Sequence, residues 1–122
     1  MEQKTLLVAF STQKGGIGKS ALTVLMASYF HYVKGYNVGV IDCDYPQYST
    51  YKMRERDKEI VSKVPHYKEK SYTQFKALGK RNYPIDKAPA PEAIDAAKKM
   101  IDEYIGDAPD IIFFDLPGTL NS

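Results

Sequence analysis

The sequence predicts an α/β protein in which a mostly parallel sheet is flanked by helices. Three observations carry that expectation. Apolar runs at residues 5–11, 37–42 and 110–115 are short and lack a helical period, as buried parallel strands do. Between them lie segments whose apolar residues recur at helical spacing. A glycine-rich stretch, STQKGGIGKS at 11–20, joins the first strand to the first helix.

Composition limits the alternatives. The chain has 122 residues, the size of one domain, and 43% of them are hydrophobic, enough for a core. The runs TLLVAF and IIFF are far shorter than the roughly 20 apolar residues that span a bilayer. MEQKTLLVAFS runs straight into the glycine stretch without a small-residue cleavage site, so it does not read as a secretory signal. A single cysteine excludes a disulfide framework and a cysteine cluster for zinc or iron–sulfur. The compartment expected is the cytoplasm.

The elements follow in order. TLLVAFS (5–11) is the first strand, read as buried. From Lys19 to Lys34, Leu22, Leu25, Met26, Tyr29, Phe30 and Val33 form one helical face. Gly35 stands where a helix takes a left-handed residue after its end. NVGVID (37–42) is the second strand. Strand, helix and strand make a βαβ unit, with a right-handed crossover expected. Residues 48–63 and 66–81 read as two charged helices, the second with weaker periodicity. NYPID (82–86) is a short strand, KAPAP a turn, and Pro91 a first helical residue. Residues 92–105 form an amphipathic helix through Ile94, Ala97, Ile101, Tyr104 and Ile105, ended by Gly106. DIIFFD (110–115) is the last strand.

Charge is unevenly spread. Residues 52–81 hold ten basic residues against four acids, a net +6, whereas residues 86–110 hold three lysines against seven acids, a net −4. Tyr51, Tyr67, Tyr72 and Phe75 are interleaved with the basic residues. A solvated helical face outweighs nucleic-acid contact as the reading of that segment. His31, His66 and Cys43 lack metal-ligand spacing and read as structural.

Three strand ends carry the chemistry. Gly18-Lys19-Ser20 fits the end of a phosphate loop and stands between a strand and a helix, as that loop requires. Glycines let backbone N–H groups approach phosphate oxygens, and the helix start adds its positive dipole end. Lys19 then bridges the β- and γ-phosphates and Ser20 ligates Mg²⁺. At the second strand end, Asp42 and Asp44 flank Cys43. Strand alternation would turn both carboxylates the same way, toward a metal–phosphate centre. At the third, DIIFFD ends on Asp115.

The general phosphate-loop pattern asks for glycine where this chain has Gln13. The variant K-G-G-x-G-K-[ST] is matched in full from Lys14 to Ser20. That variant is the deviant Walker A sequence, and here the chain resembles the ParA/MinD family of ATPases. Asp42, Asp44, Pro46 and Gln47 also resemble the D-x-D-P-Q of partition-type members, with Tyr45 inserted. FFDLPGTLNS is similar to the partition-type ATPases of conjugative elements, often called TraA.

The resemblance implies a P-loop NTPase fold, of which this chain is the N-terminal portion. Residues 1–122 form the ATPase domain, ending after the Walker B strand, with 45–90 as a variable basic segment inside it. It implies ATP bound with Mg²⁺ by Lys14, Gly15, Gly16, Ile17, Gly18, Lys19, Ser20 and Ala21. Asp115 resembles the Walker B aspartate, which with Ser20 and Asp42 holds the metal and its water shell. Asp44 acts in hydrolysis, and Pro117 and Gly118 begin a γ-phosphate switch. Lys14 is the signature lysine, which reaches the nucleotide of a second subunit and stabilises phosphoryl charge as an arginine finger does. The partners implied are a second copy in an ATP-dependent homodimer, non-specific DNA and a ParB-like protein. A MinD-like membrane-positioning ATPase and a catalytically silent nucleotide-binding module stay open as alternatives. The motifs themselves cover 11–20, 42–47 and 110–118.

Overall fold

The computed structural model describes residues 4–10, 17–78, 81–104 and 106–117. Four parallel strands form one sheet: β1 (Leu6–Phe10), β2 (Val38–Asp42), β3 (Ile85–Lys87) and β4 (Ile111–Asp115), in spatial order β1-β4-β2-β3. Helix α1 (Ile17–Ser28) connects β1 to β2, so the crossover passes over β4. Helices α2 (Ser49–Lys63) and α3 (Pro65–Leu78) lie between β2 and β3, and α4 (Ala93–Glu103) leads into β4. This is the α/β architecture expected.

Both faces of the sheet are covered, as β2 and β4 require: all five residues of each are buried. Strand alternation divides their side chains. Val38, Val40, Ile111 and Phe113 pack with Ala27 of α1 and with Tyr83. Ile41, Ile112 and Phe114 pack with Ala93, Ala97 and Met100 of α4. Gly39, the second residue of β2, lets α4 approach closely, because a Cβ there would run into the Met100 sulfur.

Two sequence expectations are corrected. Leu6–Phe10 forms an edge strand rather than a buried one: among the described residues β1 pairs with β4 alone, and Leu6 and Leu7 are 58% and 44% exposed. Helix α1 turns only part of its apolar stripe inward: Met26 and Phe30 pack against the core. Ser20, Thr23, Ala27 and, one turn on, His31 are buried, whereas Leu22, Leu25, Tyr29 and Val33 of the apolar stripe are exposed. Small residues at the contact let the helix pack closely on the sheet.

The helix ends in one wide π turn, Tyr29–Val33, where the Lys34 amide bonds the Tyr29 carbonyl at 3.0 Å. The turn brings His31 inward. Gly35 follows with φ 85° and Gly106 with φ 90°, the left-handed backbone anticipated at both positions. The third strand falls at Ile85–Lys87, a little later than NYPID. Pro91 lies in a 3₁₀ turn, Ala90–Glu92, that opens α4. The inward face of α4 is Ala93, Ala97 and Met100, with Ile94 half exposed and Ile105 outside the described residues.

The charged helices α2 and α3 pack on each other, and α2 packs on β3. Among the described residues no helix is long and apolar enough to cross a membrane.

Candidate functional site

The strand register sets the site. Phe10 of β1, Asp115 of β4, Asp42 of β2 and Lys87 of β3 stand level across the carboxyl edge of the sheet. In a parallel α/β sheet this is the edge where ligands bind. Two of the three strand-end aspartates named from the sequence therefore come together, and both are fully buried.

Ser20 reaches the same place from the first turn of α1. It is buried, and its hydroxyl donates to Asp115 Oδ2 at 3.1 Å. A second hydroxyl meets the same oxygen: Thr50 Oγ1 donates to Asp115 Oδ2 at 2.8 Å. Thr50 lies outside the three motif segments. The signal available was Ser49-Thr50 at the start of a charged helix, where hydroxyl residues are favoured.

Asp42 is held differently. Its Oδ1 accepts the Asp44 amide at 3.1 Å and its Oδ2 accepts the Tyr51 amide at 2.9 Å. Burial pushes its carboxyl above the ordinary carboxylate range. The two amide bonds pull it down, and the neighbouring Asp115 and Asp44 push it up again. Asp42 thus folds the following loop around its own carboxylate.

That loop departs from the strand-alternation argument. The strand β2 ends at Asp42, so Asp44 is a half-buried loop residue, placed by the turn rather than by the pleat. The inserted Tyr45 is 66% exposed, and its peptide bond to Pro46 is cis. The Tyr45 ring meets the Tyr48 ring edge-on at 5.9 Å. Tyr48 takes left-handed backbone, φ 46°, immediately before α2. Lys87 lies over the rings of Tyr48 and Tyr51, 5.6 and 5.0 Å from their centroids.

Lys14, Gly15, Gly16 and Gly118 fall outside the described residues, as do the side chains of Ile17 and Lys19. The α-helical backbone begins at Ile17, so Gly18, Lys19 and Ser20 belong to its first turn, with Ala21 exposed just beyond. A helix start at this point presents its amides and positive dipole end to an anion.

The described residues suit a hard divalent cation. Ser20, Asp42 and Asp115 offer only oxygen donors, at a helix start and two strand ends. Mg²⁺ is commonly held by one or two carboxylates together with waters and substrate phosphates. Cys43, the chain's one cysteine, is buried in the core cluster beneath α4.

A separate cavity of about 850 Å³ opens at the opposite, amino-terminal edge of the sheet. Arg54, Tyr83, Asp86 and Asp107 are among its lining residues. The Arg54 guanidinium covers the Tyr83 ring at 4.5 Å and donates to the Tyr83 carbonyl at 2.7 Å, so its bonding is directed into the fold.

Comparison with known proteins agrees with this geometry. The ParA family, described as "NUBPL iron-transfer P-loop NTPase", matches the chain over residues 3–118. No curated protein matches it.

Proposed function

The chain belongs to the ParA family of P-loop NTPases, and from that premise we propose that it binds and hydrolyses ATP with Mg²⁺ in an ATP-dependent homodimer that partitions, positions or transfers DNA. One observation carries the nucleotide reading. The Ser20 hydroxyl, in the first turn of the helix after the glycine stretch, bonds the buried Asp115 at the end of β4. A P-loop NTPase needs that pair: a hydroxyl to ligate the metal and a strand-end carboxylate to hold its shell.

The residues divide the work by position. The segment 14–21 wraps the phosphates with backbone amides, and Lys19 neutralises their charge. Ser20 and Asp115 hold Mg²⁺, with Asp42 behind them fixing the loop that carries Asp44. When bound, the cation neutralises charge on the phosphates. Asp44 orients the attacking water. Lys14 acts on the nucleotide of the second subunit, which ties hydrolysis to dimerisation.

The DNA part rests on charge. The helix α2 presents Lys52, Arg56, Lys58 and Lys63 to solvent, with Lys58 and Lys63 paired to Glu55 and Glu59, and Lys68 and Lys70 of α3 add exposed positive charge. Such a surface attracts the phosphate backbone without reading sequence. The iron transfer in the family's description stays with the family, since Cys43 is buried.

The test is ATP turnover and sedimentation, each with and without ATP and DNA, on the wild type and on Lys14→Ala. The wild type should dimerise with ATP and turn it over. Lys14→Ala should bind ATP yet neither dimerise nor hydrolyse. A Lys14→Ala protein that dimerises and hydrolyses normally sinks the proposal.

A further inference from the structure

The residue that the function has not used is Thr50. It is the second residue of α2, it is 1% exposed, and its hydroxyl donates to Asp115 Oδ2 across 65 positions of sequence. The next residue, Tyr51, gives its backbone amide to Asp42 Oδ2. One turn of helix therefore binds both strand-end carboxylates, Asp115 through a side chain and Asp42 through the main chain. Because the two strands pair Asp42 with Asp115 in register, this turn spans the pair.

We propose that Thr50 is a positioning residue for the metal shell, whose hydroxyl, together with that of Ser20, fixes Asp115 in the orientation that receives Mg²⁺. The inference rests on the ATP–Mg²⁺ reading above. An aspartate carboxylate can rotate about its terminal Cβ–Cγ bond, which is a broad, soft degree of freedom. Two hydroxyl hydrogens arriving at one oxygen from different elements, α1 and α2, remove that freedom. Oδ2 is left acting as acceptor for both, and the orientation of the carboxylate is set before any ligand arrives. Residues that orient a metal ligand typically change metal affinity when removed.

Thr50 also links the site to the basic surface, because it belongs to the helix that carries Lys52, Arg56, Lys58 and Lys63. A shift of α2 along its axis moves the donor to Asp115 and the amide on Asp42 together.

The experiment uses the full 122-residue chain and a fluorescent ATP analogue titrated with and without Mg²⁺. Thr50→Val keeps the shape and removes the hydroxyl. Thr50→Ser keeps the hydroxyl and removes the methyl. Thr50→Val should raise the half-saturating Mg²⁺ by about 10- to 100-fold while metal-free nucleotide affinity stays within about twofold. Thr50→Ser should stay close to the wild type in both. An unchanged Mg²⁺ requirement in Thr50→Val overturns the inference and leaves the ATPase reading standing. So does a Thr50→Ser protein whose half-saturating Mg²⁺ rises by about 10-fold or more, which decides the matter even if Thr50→Val fails to fold. A wild type whose nucleotide affinity ignores Mg²⁺ overturns the ATPase reading, and this inference with it.

Discussion

Asp42 and Asp115 occupy paired register positions at the carboxyl ends of β2 and β4, and both are fully buried. Two carboxylates on adjacent parallel strands repel each other, and the effect is visible on Asp42, whose carboxyl the Asp115 charge helps to push upward after burial. The arrangement costs stability unless a cation lies nearby. It is therefore a place where function and stability oppose each other.

Asp115→Asn removes one of the two charges and keeps an oxygen that can accept from Ser20 or Thr50. The metal-free variant should melt at or above the temperature of the metal-free wild type. Its Mg²⁺-dependent ATP turnover should fall by at least about 10- to 100-fold. Thermal melts with and without Mg²⁺, alongside turnover, check both halves. A variant that melts lower and still hydrolyses ATP contradicts the opposition.

The centre of this site was legible in the sequence, because strand ends are. DIIFFD and NVGVID are apolar runs that stop on aspartate, and a sheet edge then follows from chain direction alone. The surroundings were less legible. An apolar run such as TLLVAFS reads alike whether it has one neighbour strand or two, so the edge position of β1 was hidden. Of the stripe through Leu22, Leu25, Met26, Tyr29, Phe30 and Val33, Met26 and Phe30 pack on the core beside the fully buried Thr23 and Ala27, while the other four are exposed. Thr50 belonged to no motif. Its role comes from where α2 starts, directly after the left-handed Tyr48.

Gly39 is predictable from the packing of α4. A methyl group at this position meets the sulfur of Met100, itself fully buried, with Pro109 and Ile112 close on either side. Gly39→Ala should destabilise by about 1–3 kcal/mol through overpacking. In a Met100→Ala background the same change should cost less, because the obstructing side chain is gone. A double-mutant cycle by urea unfolding measures the difference, and strict additivity would show that Met100 is not the obstacle.

His31 joins three segments. Its Nδ1 accepts the Val38 amide at 3.3 Å, and its Nε2 bonds the Arg81 carbonyl at 2.8 Å. An amide N–H can only donate and a carbonyl can only accept, so the ring carries its proton on Nε2. Nitrogen-15 NMR of the ring should show that tautomer near neutral pH. His31→Leu leaves a donor and an acceptor unanswered, each costing about 1–3 kcal/mol. A melting temperature unaffected by His31→Leu, or the Nδ1–H tautomer, contradicts the assignment.

Tyr32 gives the fold a dependence on alkaline pH. Its hydroxyl donates to Asn82 Oδ1 at 2.7 Å, and its half-buried ring lies against His31 and Tyr83. Burial pushes the phenol up to about 12, Arg54 opposes that, and Tyr83 adds to it. In the unfolded chain the phenol loses its proton near 10. Between those values the folded chain keeps a proton that the unfolded chain has released. Stability is therefore unaffected below about pH 10 and falls as pH rises toward 12. Tyr32→Phe loses the hydrogen bond, about 0.5–1.5 kcal/mol, so it should be the less stable protein at neutral pH. It has no phenol to ionise, so its stability should decline less steeply above pH 10, and the gap to the wild type should narrow or reverse. Urea unfolding of both proteins at one-unit steps from pH 8 upward reads the gap directly. A gap that stays constant through the alkaline range would show that Tyr32 ionises alike in the folded and unfolded chains.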